Sequence, residues 1–326
     1  MKRRKLGRTD LHISELNLEA HKFGWLADET ESFALLDAYY ACGGNFIQTM
    51  GLAPRFLTMD QTESASEDIV GRWREARGIS RDRLVLASRF NFFRPPHGGS
   101  IAFANHIREA CERSLRRLRT KHFDLLICEW DDDLHPIDDV LEAVDQLIRA
   151  GFGRYVVAGG FPPWRVVDSL HRSTSRNHAR FEALQAEYPL INRSGFEPEA
   201  LAMCREHRLG FLATLPVAGG FLTPRHVASP EFDHDWRNER FGSRAENEVL
   251  KVLAEVAERR HATPAEVALA WVLRNPQVST AAMSAANTRE LRELIRAAGM
   301  VLSPEETGAL ASVTTPRASP TELHHA

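Results

Sequence analysis

Gly43-Gly44-Asn45-Phe46-Ile47-Gln48-Thr49-Met50-Gly51-Leu52-Ala53-Pro54 is the stretch on which the reading of this chain turns. An amphipathic segment from Glu31 to Cys42 leads into it, two glycines turn the chain, and Phe46–Thr49 then forms an apolar run of strand length. The irregular loop that follows opens where βα-repeat proteins place their chemistry, since loops at the C-terminal ends of the strands surround one mouth.

Working outward, similar runs recur at Glu15–Leu18, Leu84–Arg89, Phe123–Cys128, Tyr155–Ala158, Phe181–Gln185, Phe211–Leu215 and Thr280–Ser284, with helical patterns between most of them. Eight short, nearly continuous apolar strands predict an α/β fold, the closed parallel (β/α)8 TIM barrel. Lys2–Leu6 and Leu11–Ser14, separated by Gly7-Arg8-Thr9-Asp10, predict an N-terminal hairpin. The helices carry their own punctuation. Ile101–Leu118 places Ile107, Ala110, Cys111, Ser114, Leu115 and Leu118 on one face. Pro136 precedes the acids Asp138 and Asp139 at the start of the Val140–Arg149 helix, and Gly78 and Gly151 mark helix ends. Thr263-Pro264-Ala265-Glu266 and Ser303-Pro304-Glu305-Glu306 read as capping boxes.

Gly51–Ser66 and Thr223–Arg244 interrupt the repeat, and both are expected to border or close over the barrel mouth. Thr314–Ala326 reads as a C-terminal tail. No internal repeat beyond the βα period and no linker composition divide the chain, which predicts a single domain over residues 1–326.

At 326 residues, 43% hydrophobic and 26% charged with a net charge of −3, the chain presents neither a basic face for nucleic acid nor a polybasic membrane patch. The basic start Met1–Gly7 is not followed by an apolar run, so a cytoplasmic protein is expected. The four cysteines, Cys42, Cys111, Cys128 and Cys204, lie far apart without CxxC spacing and read as reduced core residues.

Several further stretches, in order, resemble the aldo-keto reductases: Lys5-Leu6-Gly7-Arg8-Thr9, Asn45-Phe46-Ile47-Gln48-Thr49, Ser66-Glu67-Asp68-Ile69-Val70-Gly71, Ser114-Leu115-Arg116-Arg117-Leu118, Phe123-Asp124-Leu125-Leu126, Phe161-Pro162-Pro163-Trp164, Leu184-Gln185-Ala186-Glu187-Tyr188, Pro216–Thr223 and Ala268–Leu273. The resemblance covers nearly the whole chain and implies the same barrel. It also implies NADPH-dependent carbonyl reduction, with a tyrosine acid assisted by lysine, histidine and aspartate. At those places this sequence has Ala53, Arg89, Glu129 and Gln48. No tyrosine occurs between Met50 and Ser66, and arginine titrates too high to relay a proton.

The cofactor contacts implied by the resemblance are altered in parallel. The Ser-Asn pair that holds the nicotinamide amide is Gly159-Gly160, and the stacking aromatic is Thr214. Places that grip the adenosine phosphate read Ser284, Ala286, Glu290 and Leu294, while Gln185 and Tyr188 keep the pattern. Without the charge-assisted bonds to phosphate, NADPH is expected to bind weakly or not at all, leaving no cofactor.

The replacement groups define the candidate site. Arg89 and Glu129, from neighbouring strands, should face one another, either as a structural ion pair or as an oriented base. Gln48 would help polarise oxygen, and His21, beside Glu19, is a candidate acid-base group or simply a solvated histidine. Trp130, Asn91, Phe92, Gln185, Tyr188 and Thr214 are the expected ligand contacts, with packing against the loops as the bland reading of the aromatics. Asp131, Asp132, Asp133 and His135 read as helix-start acids, and no metal is expected.

These readings favour a pseudo-oxidoreductase with a non-canonical active site. It would perform cofactor-independent lyase, isomerase or cyclase chemistry on a small carbonyl compound, with Glu129 as base. The alternatives are a non-catalytic binding or regulatory protein on the same scaffold, and an NADPH-dependent oxidoreductase with relocated groups. The Arg- and Ala-rich composition is associated with specialised metabolism.

Overall fold

The computed structural model describes residues 1–50, 65–91, 100–129, 136–193, 196–197, 199–223 and 244–314. The chain opens with the antiparallel pair β1 (Arg3–Lys5) and β2 (His12–Ser14), in register Arg3↔Ser14. Strands and helices then alternate: β3 (Leu16–Glu19), α1 (Glu29–Ala41), β4 (Phe46–Met50), α2 (Ala65–Ala76), β5 (Val85–Asn91), α3 (Ser100–Arg117), β6 (Phe123–Glu129), α4 (Ile137–Arg149), β7 (Gly153–Gly159), α5 (Pro163–Arg176), β8 (Phe181–Glu187), α6 (Ala200–Glu206) and β9 (Gly210–Thr214). Helices α7 (Arg244–Arg259) and α8 (Pro264–Leu273) precede β10 (Thr280–Met283), and α9 (Thr288–Ala297) and α10 (Pro304–Val313) follow it.

Strands β3 to β10 pair in parallel in chain order, and β10 closes on β3 through Met283↔Leu18. The eight strands expected from the apolar runs are the eight staves of this (β/α)8 barrel, with ends shifted by a residue or two. The apolar runs were readable because parallel strands bury both faces, the lumen face and the face under the helices.

Alternation along each strand separates two apolar layers. One fills the lumen: Phe46, Val85, Ala87, Leu125, Ile127, Val157, Ala183 and Leu212 pack together, and Leu6, Leu11 and Ile13 from the hairpin region join them. Leu6 packs at Gly210, the first residue of β9, so the hairpin stoppers the N-terminal end of the barrel. The other layer, which includes Leu16, Leu18, Ile47, Leu86, Leu126, Val156 and Leu184, packs under the helices.

The capping boxes at Thr263/Glu266 and Ser303/Glu306 are both formed, and Asp28/Glu31 makes a third at the start of α1. Each meets two N–H groups that the first helical turn would otherwise leave without partners.

The Gly43-Gly44 turn is fixed by Tyr39. Its buried hydroxyl accepts the Phe46 N–H at 3.2 Å and lies 2.8 Å from both Ser14 Oγ and the Phe46 carbonyl, and 2.9 Å from the Leu16 carbonyl. The ring lies flat against Gly44, where an added Cβ would sit 2.3 Å from two ring carbons. Gly43 itself has φ +85°, a left-handed conformation that side chains disfavour. Because the hydroxyl pins the ring, it cannot swing aside. Gly44→Ala is therefore expected to cost about 1–3 kcal/mol, the usual range for overpacking, measured by denaturant unfolding. In a double-mutant cycle Tyr39→Phe and Gly44→Ala should together cost less than the sum of their separate costs, because the ring without its hydroxyl can yield to the added Cβ.

Candidate functional site at the barrel mouth

Toward the C-terminal ends of the strands the lumen changes character. On β4 the inward residue passes from Phe46 to Gln48, on β5 from Ala87 to Arg89, and on β6 from Ile127 to Glu129. On β7 it passes from Val157 to Gly159, on β8 from Ala183 to Gln185, and on β9 from Leu212 to Thr214. On β3 the inward positions are Asn17 and Glu19. An apolar plug thus supports a polar rim.

Arg89 is the hub of that rim. Its Nη1 donates to Glu129 Oε1 at 3.3 Å, its Nη2 donates to Gln185 Oε1 at 3.2 Å, and the same Nη2 lies 3.8 Å from Glu19 Oε1. Gln185 in turn donates its Nε2–H to Gln48 Oε1 at 2.8 Å. Four of the strands are therefore cross-linked through one guanidinium, and a fifth through the amide pair. The expectation that Arg89 and Glu129 face one another holds in the geometry, but Glu129 takes only one edge of the guanidinium.

His21 follows β3 and approaches the same cluster, with Nδ1 3.8 Å from Glu19 Oε2. About 33% of its side chain is exposed, so it connects the rim to solvent. Burial holds its imidazole below the ordinary value. The Glu19 carboxylate works against that shift, and the Lys22 and Arg89 charges work with it.

Among the described residues, three buried polar atoms at lumen-facing positions have no partner: Asn17 Nδ2 on β3, Arg89 Nε on β5 and Ser284 Oγ just past β10. Unmet polar groups of this kind suit a polar ligand atom, because leaving them unpaired costs about 1–3 kcal/mol each.

The remaining expected contacts divide. Gln48 and Gln185 are buried in the network. Thr214 ends β9 half-buried, its carbonyl accepting the Tyr188 N–H at 3.2 Å. Tyr188 does not join the rim. It is buried under the helices against Phe196, Phe211 and Trp271, with its hydroxyl 2.7 Å from Glu197 Oε1 and accepting from Asn275 Nδ2 at 3.3 Å. Its odd spacing from Gln185 already signals the opposite face of β8. Asn91 ends the backbone of β5, while its side chain, Phe92, Phe93, Ala53, Trp130 and the Asp131–His135 run lie outside the described residues, as do most of the two long insertions and nearly all of the tail.

Glu19 was read from sequence only as a companion to His21, and its approach to Arg89 is an addition. So is Asn17, whose signal is polarity at lumen parity within an otherwise apolar strand, a parity shared by Ser284, which the resemblance names only as an altered phosphate contact. Among the described residues there is no group of three or more acidic, histidine or cysteine side chains able to hold a metal, and no helix long and apolar enough to cross a membrane.

A nicotinamide dinucleotide would meet suitable groups at one end of this site and unsuitable ones at the other. At the rim the residues fit its reactive end: the Gln185 amide and the unmet donors suit a carboxamide or carbonyl oxygen, and Gly160 leaves open space where a side chain would stand. At the start of α9 they do not fit a phosphate. The Asn287 side chain accepts from the Arg289 and Glu290 N–H groups at 3.0 Å each, and the Glu290 carboxylate accepts the Ala286 N–H at 2.9 Å. Three donors that a phosphate would use are taken by the chain itself, one of them by a negative charge.

A family model described as "Aldo/keto reductase family" matches residues 19–315. Among similar proteins is the "Uncharacterized oxidoreductase YrpG" of Bacillus subtilis, 28% identical over 92% of this chain and 92% of its own length. Another is the "Norsolorinic acid reductase stcV" of Emericella nidulans, 27% identical over 91% of this chain and 77% of its own. A third is an aryl-alcohol dehydrogenase of Phanerodontia chrysosporium whose name specifies NADP(+), 26% identical over 91% of this chain and 81% of its own. These names correct the reading of cofactor-independent lyase, isomerase or cyclase chemistry with Glu129 as base. These relatives, matched over about nine-tenths of the chain, are named for oxidation and reduction, and nothing supports the label of pseudo-oxidoreductase. The physical reason is visible at the rim, where Glu129 is tied to Arg89 as a counter-charge.

Proposed function

The chain belongs to the aldo/keto reductase family, and from that premise we propose that it is an oxidoreductase interconverting small alcohols and carbonyl compounds with a nicotinamide cofactor, its acid-base groups relocated. The observation that carries this reading is the Arg89-centred polar rim over an apolar plug, in a chain whose full-length relatives are named as oxidoreductases.

The bound cofactor supplies or accepts the hydride, and the chain handles oxygen and proton. Arg89 presents a fixed positive charge at the mouth, suited to stabilising an alkoxide as it forms. A guanidinium cannot act as the proton donor, because it stays charged at every working pH. Glu129, Glu19 and Gln185 hold that guanidinium in place, and Gln48 fixes Gln185. His21 moves the proton: kept neutral by burial, it accepts the alcohol proton in the oxidising direction and passes it to solvent along its exposed edge. Aryl alcohols and aldehydes, the class named in one relative, are the first substrates to try.

The test is consumption of NADH or NADPH with a panel of aromatic aldehydes, and the reverse reaction with the alcohols. Absence of turnover with either cofactor, across acid and alkaline pH, would falsify the proposal. The role of His21 predicts a pH signature. The ordinary imidazole value is 6.5 and burial lowers it here, so kcat for alcohol oxidation should be flat above 6.5 and fall only on the acid side of that value. In His21→Gln the acid limb should vanish and kcat should drop at all pH values. An unchanged acid limb would remove His21 from the mechanism.

A further inference from the structure

We infer that this protein selects the dinucleotide without a 2′-phosphate, NADH over NADPH, because Glu290 occupies the place where that phosphate would be received. The inference rests on the oxidoreductase reading above and deepens it.

In (β/α)8 barrels, phosphate is commonly received by the loops after the last two strands and a helix N-terminus beside them, where free N–H groups and the helix dipole attract anions. Here the last strand, β10, runs through Ser284 and Ala286 into α9, at the mouth of the same lumen. Three N–H groups at the start of α9 are already taken: Glu290 folds its carboxylate back onto the Ala286 N–H at 2.9 Å, and the Asn287 side chain accepts from the Arg289 and Glu290 N–H groups. Arg289, the adjacent basic residue on α9, has its Nε directed down the helix to Glu293 at 3.3 Å and away from that spot.

A 2′-phosphate brought to this turn meets one carboxylate charge and finds three of the N–H donors occupied. To enter, it must expel Glu290, which loses a charge-assisted bond, and then remain beside that negative charge. A ribose hydroxyl has the opposite requirement. It is a donor seeking an acceptor, and a carboxylate is the acceptor by which dinucleotide sites generally hold a free ribose, whereas a cation is what accommodates the phosphate. Ser284 Oγ, buried without a partner two residues before Ala286, is a separate sign that a polar group is missing between the rim and this turn.

The experiment is a binding titration of the intact protein, followed through quenching of its six tryptophans, with NADH and with NADPH at fixed ionic strength. NADH is expected to bind more tightly by on the order of tenfold or more, and Glu290→Gln, which keeps an oxygen acceptor for the Ala286 N–H while removing the charge, should tighten NADPH binding and weaken NADH binding, so that the ratio between them falls. NADPH binding as tightly as NADH in the unmodified protein, or a Glu290→Gln variant with an unchanged ratio, overturns the inference while leaving the oxidoreductase reading standing. Failure of both dinucleotides to bind at saturating concentration overturns that reading, and the inference with it.

Discussion

Arg117→Met is expected to destabilise the protein by about 3–5 kcal/mol at neutral pH, the cost of removing one partner from a buried ion pair. Glu67, on α2, is fully buried. Its Oε2 accepts from Arg117 Nε at 2.9 Å and Nη2 at 2.7 Å, while Oε1 accepts from Ser88 Oγ at 2.9 Å. Burial pushes its carboxyl above the ordinary value of 4.5, and Arg117 opposes the shift. Methionine removes that opposition and keeps most of the volume, so the carboxyl must rise further. In the window above 4.5 the native state then holds a proton that the unfolded state has released, so stability falls as pH rises. The loss should accordingly shrink as pH is lowered through and below 4.5, where folded and unfolded states both become protonated. Urea unfolding at several pH values measures this. A pH-independent loss would mean that packing, and not the stranded charge, sets the cost.

The barrel was legible because its strands are covered on both sides, which turns each into an uninterrupted apolar run, and because capping boxes and glycine stops bracket the helices. The hairpin was legible from its turn cluster. Which way each side chain points was harder to read, although strand parity contains that information. Gln185 and Tyr188 read as joint ligand contacts because they sit in one motif, yet Gln185 of β8 enters the lumen network while Tyr188, one residue past that strand, packs under the helices. The convergence of Glu19, Arg89, Glu129 and Gln185 depends on the stagger of the closed sheet, which puts residues far apart in sequence at one level. No local pattern encodes it.

The reading of function failed for a different reason. Loss of a tyrosine, lysine, histidine and aspartate was taken as loss of the reaction, whereas hydride transfer asks the protein mainly to position the partners and stabilise charge on one oxygen. A guanidinium held by two carboxylates and an amide can meet the second demand without any of the four. What changes is the route of the proton, which is why His21 and its pH limb carry so much of the test.

Arg89→Met is expected to lower kcat for the oxidoreductase reaction by about 10²–10³-fold, the usual cost of removing one preorganised oxyanion-stabilising donor. The substitution keeps the length of the side chain and removes all of its donors. Glu19 and Glu129, 17% and 33% exposed, are then left at the rim without the cation that lies 3.8 and 3.3 Å from them. Gln185 also loses the donor to its Oε1 and remains bound only through Gln48. Two like charges around the position of the developing alkoxide turn stabilisation into repulsion, so the loss should fall on kcat more than on KM. Arg89→Lys restores the charge at a single point and cannot span three partners, so it should recover only part of the rate. Dinucleotide affinity should move less than about tenfold in both variants, because the adenosine end is held elsewhere. A kcat for Arg89→Met within about threefold of the unmodified protein, in a variant whose unfolding midpoint shows it to be folded, would place the oxygen-stabilising group elsewhere at the mouth and reduce the Arg89 cluster to a strut between strands.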